Sequence, residues 1–380
     1  MLTERLKRSI TLRKESGLYR QPVTVDEHHG SHAIVNGKKL INFASNDYLG
    51  LAQNNVWQKT LSQCFANHLP SGTSSRLVSG HTGYTEEVEQ RFAEYFGYDE
   101  ALFLPSGYQA NLAVLWGVCS PAETLFYDKR IHASMAQGLA QTGSTLKGFA
   151  HSDLAQLDRK LQLTKAESPV VLTESLFSMD GDMLDTKTFE SLRHEHGFFS
   201  IVDEAHAFGA LGTNGTGLCN SCADLAVGTF GKALGMFGAF ILMPKGFKEF
   251  FQNFSSPVIY STAMPEAHAA AAAALLKQLP KMDAERAHLA HVSSLLRTEL
   301  QHAGFSIQGD AHIVSIEIGD EMKAATIAEK MREDGVLAFA SRYPTVPMNK
   351  AVIRVSMTAL HSTEDVHTFV NSIRGWYDRT

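Results

Sequence analysis

Phe198-Phe199-Ser200-Ile201-Val202-Asp203-Glu204-Ala205-His206 joins a run without charge to an abruptly polar end. The run suits a short strand buried on both faces of a parallel sheet. An acid at the carboxyl end of that strand, Asp203, stands where open α/β sheets bind ligands. Taken alone, Asp203 reads equally as a helix N-cap, and His206 as a packed structural histidine. Outward from this stretch, Val170-Val171-Leu172 and Ala101-Leu102-Phe103-Leu104 are runs of the same kind. Val88, Phe92 and Phe96 mark one face of a helix that Gly97 stops, and a helix resumes near Gln109. Helix and strand therefore alternate from Thr85 onward, which predicts an α/β fold around a mostly parallel central sheet.

The flanks read differently. Residues 1–20 carry six basic residues against Glu4 and Glu15, a local net of +4, with Leu2, Leu6 and Ile10 at helical spacing. That predicts an amphipathic helix packed on the body. Ala33 to Val35, Asn36-Gly37 and Lys38 to Ile41 predict a hairpin with a type I′ turn. The alanine-rich run from His268 to Leu276 reads as a helix leading to a smaller α+β unit. In that unit His312 to Ile318 reads as a strand with one wet face, Lys323 to Glu333 as a helix and Val352 to Met357 as a strand. A last helix closes the chain. The expected division is an arm (1–45), a large domain (46–280) and a small C-terminal α+β domain (281–380).

Across 380 residues, 34 Lys and Arg face 40 Asp and Glu, a formal charge of −6, with 44% hydrophobic and 19% charged residues. The balance excludes a disordered chain and argues against a nucleic-acid binder, which needs a basic surplus. Four scattered cysteines (Cys64, Cys119, Cys219, Cys222) and no secretory signal give the expectation of a reducing cytoplasm. Leu225 to Met243 holds one charge, Lys232, but its four glycines and that lysine make it a poor membrane span. Cys219-Asn220-Ser221-Cys222 lacks a second pair, so no metal site is expected.

Val227 to Gly235 sets Lys232 among glycines and apolar side chains, far in sequence from its nearest charges, Asp224 and Lys245. Desolvation there favours the neutral amine, a nucleophile and a base. A Walker A loop is excluded, because Ala226 stands where its first glycine belongs and Ala233 replaces the Ser/Thr. Leu104-Pro105-Ser106-Gly107-Tyr108 is a strand–turn–helix junction whose amides can hold an anion, although many plain turns look the same. Together the three segments supply what pyridoxal 5′-phosphate (PLP) needs: a lysine for its aldehyde, an acid for its ring nitrogen and a cradle for its phosphate. A carboxylate ~3.5 Å from the pyridinium, in an effective dielectric of ~20, gains ~5 kcal/mol and keeps the ring protonated. His132, in Lys129-Arg130-Ile131-His132-Ala133-Ser134, is the candidate to stack on the ring.

Seven motifs in order then carry a resemblance from about Gly17 to His361. They are Ser45-Asn46-Asp47-Tyr48-Leu49-Gly50, Ser75-Arg76-Leu77, Ser106-Gly107-Tyr108, Phe177-Ser178-Met179-Asp180-Gly181-Asp182, Asp203-Glu204-Ala205-His206, Thr229-Phe230-Gly231-Lys232 and Pro344-Thr345-Val346-Pro347. The chain resembles the α-oxoamine synthases, fold-type-I PLP transferases that condense an amino acid with an acyl thioester and release carbon dioxide. The resemblance implies that Lys232 bonds the cofactor aldehyde, Asp203 pairs with the ring nitrogen and His132 stacks on the ring. It implies His206 and Ser178 near the ring hydroxyl, Ser106, Gly107, Tyr108 and Thr229 on the phosphate side, and Asn46 near the reacting carbonyl. Ser261 and Thr262 would reach the phosphate across a homodimer with shared active sites. Arg354 would hold the amino-acid carboxylate, with Thr345 near the substrate.

Within the family, Gly17-Leu18-Tyr19-Arg20, Ile259-Tyr260-Ser261-Thr262 and Gly238-Ala239 favour L-alanine and a pimeloyl thioester, the condensation used in biotin synthesis. Glycine or serine with another acyl group stays open, as does the carrier, coenzyme A or an acyl carrier protein. Arg20 is the candidate for the far carboxylate of the acyl chain, since a cation over an acidic tail is favourable. A solvated surface arginine is the plain alternative. Ser175 and Thr85 depart from the family pattern, where glycine and histidine are frequent. A non-catalytic partner subunit of this fold is the remaining class; such chains lack the lysine that is present here as Lys232.

Overall fold

The structure, a computed structural model, describes residues 1–377 and 379. Phe199–Asp203 is a strand near the middle of a seven-stranded sheet. The order across the sheet is Glu100–Leu104, Ala239–Met243, Leu225–Thr229, Phe199–Asp203, Pro169–Glu174, Thr124–Asp128 and Thr145–Phe149. Ala239–Met243 alone runs against its neighbours, so the sheet is mostly parallel, as the apolar runs predict. This is the fold-type-I α/β architecture. The window Leu225 to Met243 becomes two antiparallel strands with Lys232 in the connection, and no described helix is long and apolar enough to cross a membrane.

By its contacts the chain forms two units, one of Asn54–Phe177 with Met183–Arg286 and one of Met1–Gln53, Ser178–Asp182 and Ala287–Thr380. The first holds the large sheet. On one side Phe92, Phe96, Phe103, Phe208, Phe230 and Phe240 meet in tilted and edge-on pairs with centroids 4.7–5.6 Å apart. Such pairs add about 0.5–1.5 kcal/mol each beyond the area they bury. The helix Glu266–Gln278 buries a row of alanines, whose single methyls let it approach the helices Asn55–Asn67 and Gly83–Phe96 closely.

The second unit holds two small sheets. One contains the expected hairpin, His32–Val35 with Lys38–Asn42, turned by Asn36 (φ 51°) and Gly37 (φ 73°). Both turn residues sit in the left-handed region that a type I′ turn requires. Lys38–Asn42 also pairs in parallel with Val336–Leu337. The other sheet runs Ile307–Gln308, Ile313–Gly319, Ala351–Ser356 and Phe339–Ser341.

Two expectations are corrected. The helix Leu2–Glu15 forms, but none of its residues is buried, so it does not pack on the body as expected. Leu2, Leu6 and Ile10 stay exposed along it, and Glu4 pairs with Lys7. The strand Ile313–Gly319 lacks the expected wet face over its first four residues, which are all buried. Ser315, on the side expected to face water, donates its hydroxyl to the carbonyl of Met179, so the segment Ser178–Asp182 covers that face.

Candidate active site

Six strands of the large sheet run the same way, so their carboxyl ends share one edge. Five of the loops leaving that edge carry Ser106–Tyr108, Lys232, Asp203–His206, Ser175 and His132. Residues far apart in sequence thus converge because the topology is parallel.

Asp203 is 6% exposed. Its Oδ1 accepts from the Ala205 N–H at 2.9 Å and its Oδ2 from Asn111 Nδ2 at 2.7 Å. Asn111 Nδ2 also donates to Ser134 Oγ at 2.9 Å, and that oxygen lies 2.7 Å from His132 Nδ1. A hydrogen-bonded line therefore runs from Asp203 through Asn111 and Ser134 to His132, which caps the helix Ala133–Leu139. Burial lowers the His132 pKa, Asp203 opposes that shift and Lys232 adds to it, so the ring is neutral at pH 7.

Lys232 is half-buried in a turn tied from several directions. Trp57 Nε1 donates to the Gly235 carbonyl at 3.1 Å, His268 Nε2 to that of Phe237 at 2.5 Å, and Thr229 Oγ1 to that of Gly238 at 3.0 Å. Gly238 (φ 106°) has no room for a side chain, since a Cβ there would lie 2.9 Å from His268 Nε2. Ser106 caps the helix Gly107–Val118, accepting the Gln109 N–H at 3.2 Å. A Cβ at Gly107 would meet only Thr229, at 3.8 Å, so the first amides of that helix are open to approach. Tyr108 donates its hydroxyl to Gln137, and His206 is buried. Ser261, with Gln109, Trp116 and Tyr260, lines a cavity of about 430 Å³, while Thr262 is exposed and bridges to Ser75.

The other unit brings Asn46, Ser178 and Arg354 together. Arg354 is 5% exposed; its Nε donates to the Ser178 carbonyl at 2.6 Å, and its other nitrogens face Ser356 Oγ, Asn46 Oδ1 and the Tyr48 hydroxyl. All these partners are neutral, so among the described residues no carboxylate opposes this buried guanidinium. Arg20 donates to Thr345 Oγ1 at 2.9 Å, and Arg342 fastens the preceding turn through the carbonyls of Gly17 and Tyr19.

Sequence reasoning missed Asn111, Ser134, Tyr48 and Ser356. Asn111 left a signal, a buried amide within the apolar stretch of its helix; the others look like ordinary polar residues. Of the two departures, Ser175 is buried and donates its N–H to the Asp203 carbonyl at 3.1 Å. Thr85 completes the first turn of its helix against Thr82. Cys219 and Cys222 are buried free thiols in an apolar cluster.

The profile of the aminotransferase class I and II family matches residues 38–373. The chain is 34% identical to 8-amino-7-oxononanoate synthase of Photobacterium profundum, covering 97% of this chain and 96% of that one. It is 33% identical to the enzyme of the same name from Vibrio atlanticus, covering 98% and 93%. The chain belongs to the α-oxoamine synthases. As an α-oxoamine synthase it is a PLP-dependent acyltransferase. Among solved structures, 8-amino-7-oxononanoate synthase from Francisella tularensis matches this α-oxoamine synthase with a TM-score of 0.77 and 27% identity, covering 88% of this chain and 97% of that one. A serine palmitoyltransferase from S. paucimobilis with bound PLP–myriocin matches at a TM-score of 0.91 and 24% identity, covering 98% and 97%, which speaks for the fold alone.

The residues of this α-oxoamine synthase fit PLP. Each Asp203 oxygen takes one donor and keeps a lone pair for a protonated ring nitrogen. The open amides at Gly107 suit a phosphate at the positive end of the helix. Neutral His132 offers a flat face, and Lys232 an amine, at the same sheet edge.

Proposed function

We propose that this α-oxoamine synthase condenses L-alanine with a pimeloyl thioester to 8-amino-7-oxononanoate, releasing carbon dioxide and the thiol. It does so in the cytoplasm as a homodimer with shared active sites. The observation that carries the choice of acyl group is Arg20, hydrogen-bonded to Thr345 in the Pro344–Pro347 loop. A guanidinium there suits an acyl chain that ends in a carboxylate and opposes one that ends in hydrocarbon. The segments 1–45, 46–280 and 281–380 serve as arm, cofactor-binding body and substrate-side domain in this reading.

PLP, when bound, supplies an electrophilic aldehyde and a ring that accepts the electron pair left on the amino-acid Cα. Lys232 would be the residue that holds that aldehyde, and its Nζ, as a free amine, would take the alanine Cα proton as general base. Asp203 keeps a proton on the ring nitrogen, its carboxylate aimed by Asn111 and the Ala205 amide. His132, oriented by Ser134, would stack on the ring, while His206 and Ser178 would serve the ring hydroxyl. Ser106, Gly107, Tyr108 and Thr229 hold the phosphate, joined by Ser261 and Thr262 of the partner subunit. Arg354 takes the alanine carboxylate, an anion that no described residue supplies to its buried guanidinium. Asn46 donates to the thioester carbonyl as the carbon–carbon bond forms, and Arg20 and Thr345 hold the far carboxylate.

The test is kcat/KM for pimeloyl, succinyl, acetyl and palmitoyl thioesters, on coenzyme A and on acyl carrier protein, with alanine, glycine and serine. Pimeloyl with alanine should lead by at least tenfold, about 1.4 kcal/mol in transition-state binding. Arg20→Ala should erase most of its lead over palmitoyl. A preference for succinyl with glycine, or palmitoyl with serine, overturns the reading.

A further inference from the structure

Three donors converge on one atom of Asn46. Its Oδ1 accepts the Tyr48 hydroxyl at 3.1 Å and the Ser356 hydroxyl at 3.2 Å, and an Arg354 nitrogen stands 3.5 Å away. The direction of each hydroxyl is fixed in turn. Ser356 Oγ accepts from Arg354, so its proton is left to point at Asn46, and the Tyr48 hydroxyl donates to the same oxygen. A flipped amide would set its NH₂ against a guanidinium and two O–H groups, all donors. Oδ1 is therefore held inward. The opposite end, Nδ2, has no hydrogen-bond partner among the described residues.

Tyr48 is the stiffest member of this set. It is fully buried, its ring lies 4.0 Å from that of His312 by centroid, and its backbone N–H bonds back to the Asn46 carbonyl at 2.8 Å. Burial pushes the phenol up to about 12, so the hydroxyl remains a donor throughout the working range of pH.

We infer that Tyr48 is a positioning residue, which holds the Asn46 amide so that Nδ2 meets the thioester oxygen as that oxygen gains charge. This rests on the reading of Asn46 given under the proposed function. A donor set in advance where charge develops needs no reorganisation at the moment of reaction, so its orientation bears on kcat more than on ground-state binding. Ser356 supports the same oxygen from the other side.

The experiment uses the PLP-loaded enzyme in four forms: unmodified, Tyr48→Phe, Asn46→Ala and the double variant. Measured are kcat and KM with the preferred thioester, the alanine dissociation constant by absorbance titration without thioester, and the thermal midpoint. Tyr48→Phe should lower kcat roughly ten- to thirtyfold, leave the alanine dissociation constant within about twofold, and have no further effect once Asn46 is alanine. Ser356→Ala, which empties little volume, should show the same dependence on Asn46. If the Tyr48→Phe loss persists undiminished beside Asn46→Ala, or if Tyr48→Phe alone costs nothing, the inference is overturned and the reading of Asn46 stands. If Asn46→Ala itself turns over at the unmodified rate, that reading fails and takes the inference with it.

Discussion

Asp203 ends a strand, and its sequence context suited an acid for a ligand and a cap equally well. The structure gives Oδ1 the cap-like bond to the Ala205 amide and aims Oδ2 with Asn111, leaving lone pairs on both. Asp203→Asn keeps the shape and removes the charge, so it separates the two roles. The cofactor should still bind, read by its absorbance, while kcat falls by about 10³ or more. A loss of only a few-fold would reduce Asp203 to a cap. Lys232, Asp203 and His132 could be singled out as candidates in the sequence because their residue types suit the proposed chemistry. Asn111, Tyr48 and Ser356 were not, because they act by orienting another side chain. Asn111 is 92 positions from Asp203, and Ser356 is 310 from Asn46, so only the fold introduces them to each other.

At the scale of elements, periodicity located most strands and helices, and Asn36-Gly37 fixed a turn outright. It could not tell which faces stay dry. The strand Ile313–Gly319 alternates like a half-wet strand, yet the segment Ser178–Asp182 covers it, and sequence distance hides that cover. Buried histidines were equally opaque. His268, in the alanine-rich helix, and His361, before the helix Thr363–Tyr377, are buried and their pKa values are lowered by that burial to about 4. Each folded-state value lies below the ordinary 6.5, so the unfolded chain takes up protons first. The stability they allow is complete above pH 6.5 and is lost as pH falls toward 4. At pH 5 each histidine should cost about 2 kcal/mol. Thermal midpoints measured from pH 7.5 to 5 should fall, and less steeply in His268→Gln, whose amide can still donate to the Phe237 carbonyl. An acid limb identical in that variant would show that His268 does not titrate in this range.

For the whole molecule, the α/β class and family were legible because strand-end motifs recur in a fixed order. The discontinuous unit was not: nothing in Ser178-Met179-Asp180-Gly181-Asp182 announces that it groups with Ala287–Thr380. Nor does one chain display a shared site. Tyr260 is 85% exposed beside half-buried Ser261 and exposed Thr262, which suits a segment that a second copy covers. Mixing Lys232→Ala chains with chains carrying Ser261→Ala and Thr262→Ala, under conditions of subunit exchange, should restore activity well above either parent. Mixed dimers would then hold one intact site. A fully active monomer by sedimentation would end the proposal of sharing.

The parallel pairing of Ile41 with Val336 also sets a clock. Ribosomes add ~5–20 residues per second, so Lys38–Asn42 waits roughly 15–60 s for the strand that completes its sheet. Throughout that wait one edge of the hairpin presents unpaired amides and carbonyls to every other nascent chain nearby. Lys38 and Lys39, both exposed at the head of that strand, repel a second copy of the same edge. The cofactor-side sheet can close before Val336 exists, so the small sheet is completed after the large one.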